Sequence, residues 1–332
     1  MKKPVAVIIL NWNGEKLLGE FLPSVDRFTP RRIADVIVAD NGSTDGSLGL
    51  LRRDFPDVAV LPFDKNLGFA AGYNRALRET GYRYTVLLNS DVAVKDDWLT
   101  PLFDYMEAHP DVAACQPKIR SYRNPVMFEY AGAAGGFLDR NGYPYCRGRI
   151  FASVEPDNGQ YDDTVDVDWA SGACLMVRTA DYEAVGGLDA SFFAHMEEID
   201  LCWRLRRSGR RVVAVGDAAV FHLGGGSLPA ENPRKTYLNF RNNLLMLRKN
   251  LPAGRRRSAL IRRRLLDTVA WAKMMATLDF ANASAVLKAH RDYRRMAKEL
   301  HESEFESEAD INGRPNILTA FYFKKIRQFS KL

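Results

Sequence analysis

Over residues 5–92 short apolar, β-branched runs alternate with stretches of helical spacing, and that alternation leaves few folds open. Val5-Ala6-Val7-Ile8-Ile9-Leu10 is a near-continuous apolar run, the pattern of a strand buried on both faces of a parallel sheet. It ends in the turn signal Asn11-Trp12-Asn13-Gly14, after which Leu17, Leu18, Phe21 and Leu22 recur at helical spacing. A second strand, Asp35-Val36-Ile37-Val38-Ala39, closes in the polar cluster at 40–47, which caps a helix through Leu48, Leu50 and Leu51. Val58-Ala59-Val60-Leu61 is a third strand, followed by the small-residue turn at 66–72 and a helix. Tyr84-Thr85-Val86-Leu87-Leu88-Asn89 is a fourth. Strands alternating with helices in this way predict an α/β chain with a doubly wound, mostly parallel sheet. Neither G-x-G-x-x-G nor G-x-x-x-x-G-K-[ST] follows the first strand, which excludes the dinucleotide and P-loop versions of that sheet.

The later chain reads differently. A helix is expected over 98–108, then hairpins and loops in a Gly-, Tyr- and Pro-rich section. Next come a turn into a strand at 165–178, a helix opening at Phe192-Phe193-Ala194-His195-Met196 and running to about Ser208, and short strands at 212–215 and 219–222. Beyond Lys235 the pattern is all helical, with the last stretches, 299–310 and 314–332, either poorly ordered or a final helix. The expected organisation is therefore a body at 1–228 and a basic helical extension at 229–332. Between Arg234 and Lys298 there are 17 Lys/Arg against 3 Asp, a balance of 17 − 3 = +14, so with a net charge of +6 the remainder carries 6 − 14 = −8. A basic extension on an acidic body suggests an anionic partner. Apolar residues such as Leu260, Ile261, Leu265, Val269 and Met275 give 236–300 a broad hydrophobic face, as in an interfacial helix on anionic lipid; the plainer alternative is a helical pair packed on the body. Cys115, Cys146, Cys174 and Cys202 form no paired motif, which fits a reducing compartment. No signal peptide or apolar run of about 18 residues is visible, so the expected location is the cytoplasm, at the inner face of the membrane.

Chemistry concentrates where strands end. Asn89-Ser90-Asp91 stands at the end of the fourth strand, and ligands of open α/β sheets bind just outside the carboxyl ends of strands. A carboxylate there can hold Mg²⁺ or Mn²⁺ against a diphosphate; the plainer reading is an Asx turn that caps the next helix. Asp40, Glu197-Glu198 and His222 stand at other element ends. The order and surroundings of these clusters resemble the family 2 glycosyltransferases of the GT-A fold, most closely their rhamnosyltransferase-like branch. The resemblance covers roughly residues 4–228. It is carried by 7–14, 38–47, 66–74, Leu87-Leu88-Asn89-Ser90-Asp91-Val92, Ser171-Gly172-Ala173, Glu197-Glu198-Ile199-Asp200-Leu201-Cys202-Trp203-Arg204 and His222-Leu223-Gly224-Gly225.

That resemblance implies the remaining assignments. Asp40 looks like the reader of a uracil or thymine N3–H, with an N-cap as its alternative. Asn11, Asn66, Gly68, Gly72, Asn74, Asn89 and Arg204 fall in the segments that surround the nucleotide sugar; Arg204 also stands four residues after Asp200, the spacing of a helical ion pair, with phosphate as its other partner. Asp91 and His222 take the places of metal ligands, with Asn89 replacing one acid of the family's Asp-x-Asp. Glu198 falls on the catalytic base and Glu197, beside it, is the other candidate; burial beside Phe192, Phe193 and Met196 would raise the pKa of such a glutamate. A base here takes the acceptor's proton as its oxygen attacks the anomeric carbon. Trp169, Ser171 and Gly172 look like an acceptor-side wall, though Trp169 could equally be core. The implied activity is an inverting, divalent-metal-dependent transfer of a sugar, L-rhamnose from a dTDP donor, to a lipid-linked or polysaccharide acceptor. Rivals are the same fold on a UDP-hexose, a catalytically inactive sugar-nucleotide binder, and a nucleic-acid binder. The last lacks any supporting motif, so no nucleic acid is expected.

Overall fold

Alternate side chains of the first strand enter different cores. In the computed structural model, which describes residues 2–224, 232–300, 311 and 313–332, β1 (Val5–Asn11) sends Val5, Val7 and Ile9 to one apolar layer and Ala6 and Ile8 to the other. A strand that feeds two cores needs helices on both faces of its sheet. α1 (Glu15–Phe28) supplies Leu18, Leu22 and Val25 to the first layer. β2 (Ala34–Asp40), α2 (Ser47–Asp54) and β3 (Ala59–Pro62) follow, and α3 (Phe69–Thr80) covers the opposite face with Ala70, Tyr73, Ala76 and Leu77. β4 (Tyr84–Leu88), β5 (Val92–Val94), α4 (Thr100–Ala108) and β6 (Val112–Ser121) complete the first part.

The section from 122 to 173 folds into a small antiparallel sheet, β7 (Gly136–Leu138), β8 (Pro144–Cys146), β9 (Arg149–Ile150) and β10 (Ser153–Val154), with β11 (Val165–Asp166) beyond it. β12 (Cys174–Arg178), α5 (Thr179–Ala184), α6 (Glu197–Arg207) and β13 (Arg211–His222) return to the main sheet. Its order is β11-β13-β6-β12-β4-β1-β2-β3, with β5 paired to β13. β3, β2, β1, β4, β6 and β13 run one way, and β12, β11 and β5 oppose them. The mostly parallel α/β sheet is thus as expected. The two short strands expected at 212–222 are one strand whose register shifts between Val215 and Ala219.

The helix expected from Phe192 begins only at Glu197. Phe193, His195 and Met196 hold φ of +66°, +68° and +74°, which no right-handed helix tolerates. After the body come α7 (Pro233–Asn250), α8 (Ala253–Ala276) and α9 (Phe280–Met296), the helical extension; the boundary expected at 228/229 lies at residues outside those described. The stretch at 314–332 forms neither a long helix nor a loose end. Phe329 sits 5.3 Å from the Phe137 ring, and the Arg314 guanidinium reaches Asp168 at 2.7 Å. Most of 299–310 is likewise outside the described residues.

α8 is turned against its own pattern. Its inward face carries an ion pair, Arg263–Asp267 at 2.8 Å, only 4% and 1% exposed. Ile261, Leu265 and Val269, one turn apart, face outward at 51%, 65% and 68% exposure. No described helix is long and apolar enough to cross a membrane.

Candidate functional site

The parallel register sets the ends of β1, β2 and β4 level. Asn11 lies opposite Asp40, and Ile9 lies opposite Leu88, so Asn89 leaves the sheet beside them. Asp40 is buried; its Oδ2 accepts from Asn11 Nδ2 at 3.0 Å and its Oδ1 from the Ser43 N–H at 2.9 Å. Its carboxylate therefore closes the turn at 40–43. The helix after it has Gly46 as its N-cap, with no side-chain cap, and Asp45 just before it accepts from the Ser47 N–H at 3.1 Å through Oδ1. Asn11 Oδ1 is buried with no hydrogen-bond partner, an acceptor left open at the strand ends.

The loop into α3 is hung on a residue the sequence reading passed over. Asn41 Oδ1 accepts from the Leu67 N–H at 2.9 Å, and its Nδ2 donates to Asn66 Oδ1 at 3.0 Å and to the Gly68 carbonyl at 3.2 Å. Asn66 Oδ1 also takes the Gly68 N–H at 2.8 Å. Gly72 allows α3 to lie directly on β1, since a Cβ there would stand 2.8 Å from Leu10 Cδ1.

Asp91 and His222 meet because β5 pairs with β13, placing Val92 opposite His222. His222 Nε2 is 3.1 Å from Asp91 Oδ1 and 3.4 Å from Asn89 Nδ2. Its Nδ1 lies 3.3 Å from Glu129 Oε2, off the hydrogen-bond direction. Burial works against charging the ring, but the two carboxylates outweigh it and push the imidazole up to about 9. Asp91 does not cap the following helix, whose N-cap is Leu99; the Thr100 N–H at its start is taken at 3.0 Å by Asp97. Glu129, which no motif announces, completes the cluster from the irregular stretch before β7. Among the described residues no group of three or more His, Cys, Asp or Glu is arranged to hold a metal ion unaided. One carboxylate and one imidazole nevertheless suit a hard cation that takes its other ligands from a diphosphate.

The acid pair opens α6 directly after the left-handed residues. Glu197 is buried and Glu198 partly so, and each has an Oε2 with no hydrogen-bond partner. Burial, then repulsion from Glu198, drives the Glu197 carboxyl well above its ordinary range; burial pushes Glu198 up to about 7. The turn at 171–173 joins this acid to the cation side. A Cβ on Gly172 would lie 3.7 Å from Glu198 Cβ, and the next residue, Ala173, accepts the Asn89 N–H at 3.0 Å.

Other residues expected at the site are committed elsewhere. Asn74 ties α3 to the loop before α6: its Oδ1 accepts from the Leu188 N–H at 3.0 Å and its Nδ2 donates to the Leu188 carbonyl at 2.7 Å. Arg204 makes the expected helical ion pair with Asp200 at 2.8 Å; it is buried and also donates to the carbonyls of Gly187 at 2.7 Å and Val185. Trp169 is core, its ring laid against Gly136 and its Nε1 donating to the Phe137 carbonyl at 3.0 Å. Ser171 is buried and shapes its own turn through Gln116 and the Ala131 carbonyl, leaving Gly172 as the wall beside Glu198.

Known proteins resemble this chain in sequence and in fold. The family model described as Glycosyl transferase family 2 matches residues 6–150. The N-acetylglucosaminyl-diphospho-decaprenol L-rhamnosyltransferase of Mycobacterium tuberculosis is 30% identical over 246 residues, 67% of this chain and 76% of that protein. A mannosyltransferase of Pyrobaculum calidifontis, solved with GDP-Man and Mn²⁺, superposes with a TM-score of 0.53 at 16% identity, covering 90% of this chain and 84% of that one. GalNAc-T7, solved with UDP, GalNAc and Mn²⁺, superposes with a TM-score of 0.58 at 16% identity over 74% of this chain and 48% of that one.

Proposed function

The chain belongs to glycosyl transferase family 2 and is a glycosyltransferase of the rhamnosyltransferase-like kind; on that premise we propose an inverting transfer of L-rhamnose from dTDP-rhamnose to a lipid-linked acceptor. The observation that carries the reading is the turn at 171–173, with a cation-suited pair on one side and a buried carboxyl of raised pKa on the other. The rhamnosyl donor is supported by relatives such as the mycobacterial L-rhamnosyltransferase, whose name also specifies a diphospho-decaprenol acceptor.

Asp91 and, once its ring has given up its proton, His222 would hold a Mg²⁺ or Mn²⁺ ion, with Asn89 and Glu129 orienting the imidazole. Bound there, the cation neutralises charge developing on the departing diphosphate. Asp40, Asn11 and the Asn66–Gly68 loop form the nucleotide side, with the open Asn11 Oδ1 available to a donor N–H. Glu198 takes the proton from the acceptor hydroxyl while that oxygen bonds to the anomeric carbon. The bond from that carbon to the diphosphate breaks on the opposite face, and nucleoside diphosphate leaves. A carboxyl near 7 is half ionised at neutral pH, which suits a general base.

We place the acceptor at an anionic membrane surface, on the cytoplasmic side. Support comes from the outward row Ile261, Leu265 and Val269 and from a cleft of about 430 Å³ beside it, whose lining includes Arg248, Arg257, Arg264 and Tyr293. The deciding experiment is release of nucleoside diphosphate from dTDP-, UDP- and GDP-sugars with Mn²⁺ or Mg²⁺ and a polyprenyl-diphosphate-sugar acceptor, with Asp91→Ala alongside. Release from dTDP-rhamnose that Asp91→Ala abolishes is the expected result. Turnover only with a UDP-sugar overturns the donor, and absence of metal-aided nucleotide binding overturns the site.

A further inference from the structure

We infer that α7, in the helical extension, belongs to the catalytic apparatus: Asn242, oriented by Arg241, is a positioning residue that clamps the strap 191–196 and so aims Glu197 and Glu198. The strap has an unfavourable backbone. Phe193 has φ +66° and ψ −57°, a γ-turn closed by the Ala194 N–H on the Phe192 carbonyl at 2.8 Å. His195 and Met196 follow at φ +68° and +74°, a region that bulky side chains avoid. Such a run persists only where its surroundings over-determine it, and here the surroundings are two side chains of one helix.

Asn242 is fully buried, and its Nδ2 lies 2.9, 2.8 and 2.7 Å from the carbonyl oxygens of Phe192, Ala194 and His195. Two N–H groups thus serve three carbonyls that turn toward a single point. Arg241 fixes which way the amide faces, because its Nε donates to Asn242 Oδ1 at 2.8 Å. Its Nη2 adds bonds to the Ser191 carbonyl at 3.2 Å and the Phe192 carbonyl at 2.8 Å. The chain of contacts continues outward. Arg241 Nη1 donates to the Tyr237 hydroxyl at 3.3 Å, which donates to Asp292 of α9 at 2.8 Å. Further along α7, Lys249 bridges Asp189 at 2.7 Å and Asp200 at 2.9 Å, and Asn250 donates to Asp200 at 2.8 Å. α7 therefore grips the segment before the acids and the helix that carries them.

Met196 caps α6 and Glu197 is its first residue, so any relaxation of the strap turns the start of that helix. Each acid keeps one buried oxygen unpaired, and the backbone groups that bond the Glu198 carboxyl are those of the helix start itself, Met196 among them. The strap also borders the nucleotide side, since Phe193 approaches Gly68 to 3.9 Å from where a Cβ would stand.

This inference rests on the reading of Glu198 as the base, and the test separates the two. Asn242→Asp keeps the side chain's shape and removes its donors. The expected result is a kcat reduced by about tenfold or more. The donor KM and calorimetric nucleoside diphosphate affinity stay within about twofold of the parent, and the acid limb of the pH–kcat profile moves away from its parent position. A purely structural role would lower Tm and leave that limb in place. The inference is overturned if Asn242→Asp keeps the parent's kcat and pH limb while Glu198→Gln loses turnover. If Glu198→Gln and Glu197→Gln both turn over normally, the base reading itself falls. Should Asn242→Asp fail to bind nucleoside diphosphate, Arg241→Met, which keeps the amide and loses its orienting donor, decides by the same criteria.

Discussion

Two neighbouring glutamates on one helical turn have separate consequences for pH. Glu198, pushed up to about 7 by burial, is protonated and unable to accept a proton at pH 5. The rate should therefore rise through about pH 7, and Glu198→Gln should lose about 10²–10⁴-fold in kcat, read from the nucleoside diphosphate released. Glu197, raised further by burial and by Glu198, affects stability. Its folded-state pKa exceeds the unfolded value, so the stability it contributes is complete below about 4.5 and is lost as pH rises through the folded pKa. Tm of the parent should fall between pH 5 and pH 8, and Glu197→Gln should flatten that fall; an unchanged slope in differential scanning fluorimetry would contradict it. The expected places of Asp91 and His222 and the raised pKa of Glu198 were legible, because a strand end, a distinctive motif and flanking Phe and Met residues all appear in the sequence. Glu129 was not. Its position beside His222 depends on how an irregular stretch without periodicity folds back.

At the scale of elements, the alternating runs announced the sheet because strands buried on both faces need uninterrupted apolar sequence. The strap was misread as helix for a related reason. Phe192 to Met196 contains no glycine or proline to signal a break, and its left-handed residues are imposed by Asn242 and Arg241 from far along the chain. The i, i+4 spacing of Asp200 and Arg204 announced their ion pair, whereas the bonds of Arg204 to the turn before α6, which keep it in the scaffold, come from a segment far from it in sequence. Asp200, fully buried, holds Arg204, Lys249 and Asn250 together. Removing it leaves buried Arg204 with no carboxylate and Lys249 with Asp189 alone, so Asp200→Ala should cost about 3–5 kcal/mol in urea denaturation. A loss below about 1 kcal/mol would mean that α6 and α7 are held by apolar contact alone.

For the whole molecule, the basic extension has two sides. Arg241, Lys249 and Arg263 turn inward to carbonyl and carboxylate partners, while Arg257 lines the outer cleft beside the apolar row of α8. The protein should co-sediment with vesicles rich in anionic phospholipid and be released by high salt, since each basic residue at such a surface contributes about 1 kcal/mol. Leu265→Glu combined with Val269→Glu should reduce that binding by at least about tenfold while nucleoside diphosphate affinity is unchanged. Equal binding by parent and variant would remove α8 from the contact. Composition and periodicity by themselves determined the α/β class, the strand ends where polar residues gather, and a basic helical extension, because backbone hydrogen bonding and apolar burial are repeated locally along the chain. Only the tertiary structure decided which polar residues face the site and which serve the scaffold. It turned the ion pair of α8 inward and the row Ile261, Leu265 and Val269 outward, and it joined α7 to the acids of α6, since those choices depend on contacts between segments that no local pattern encodes.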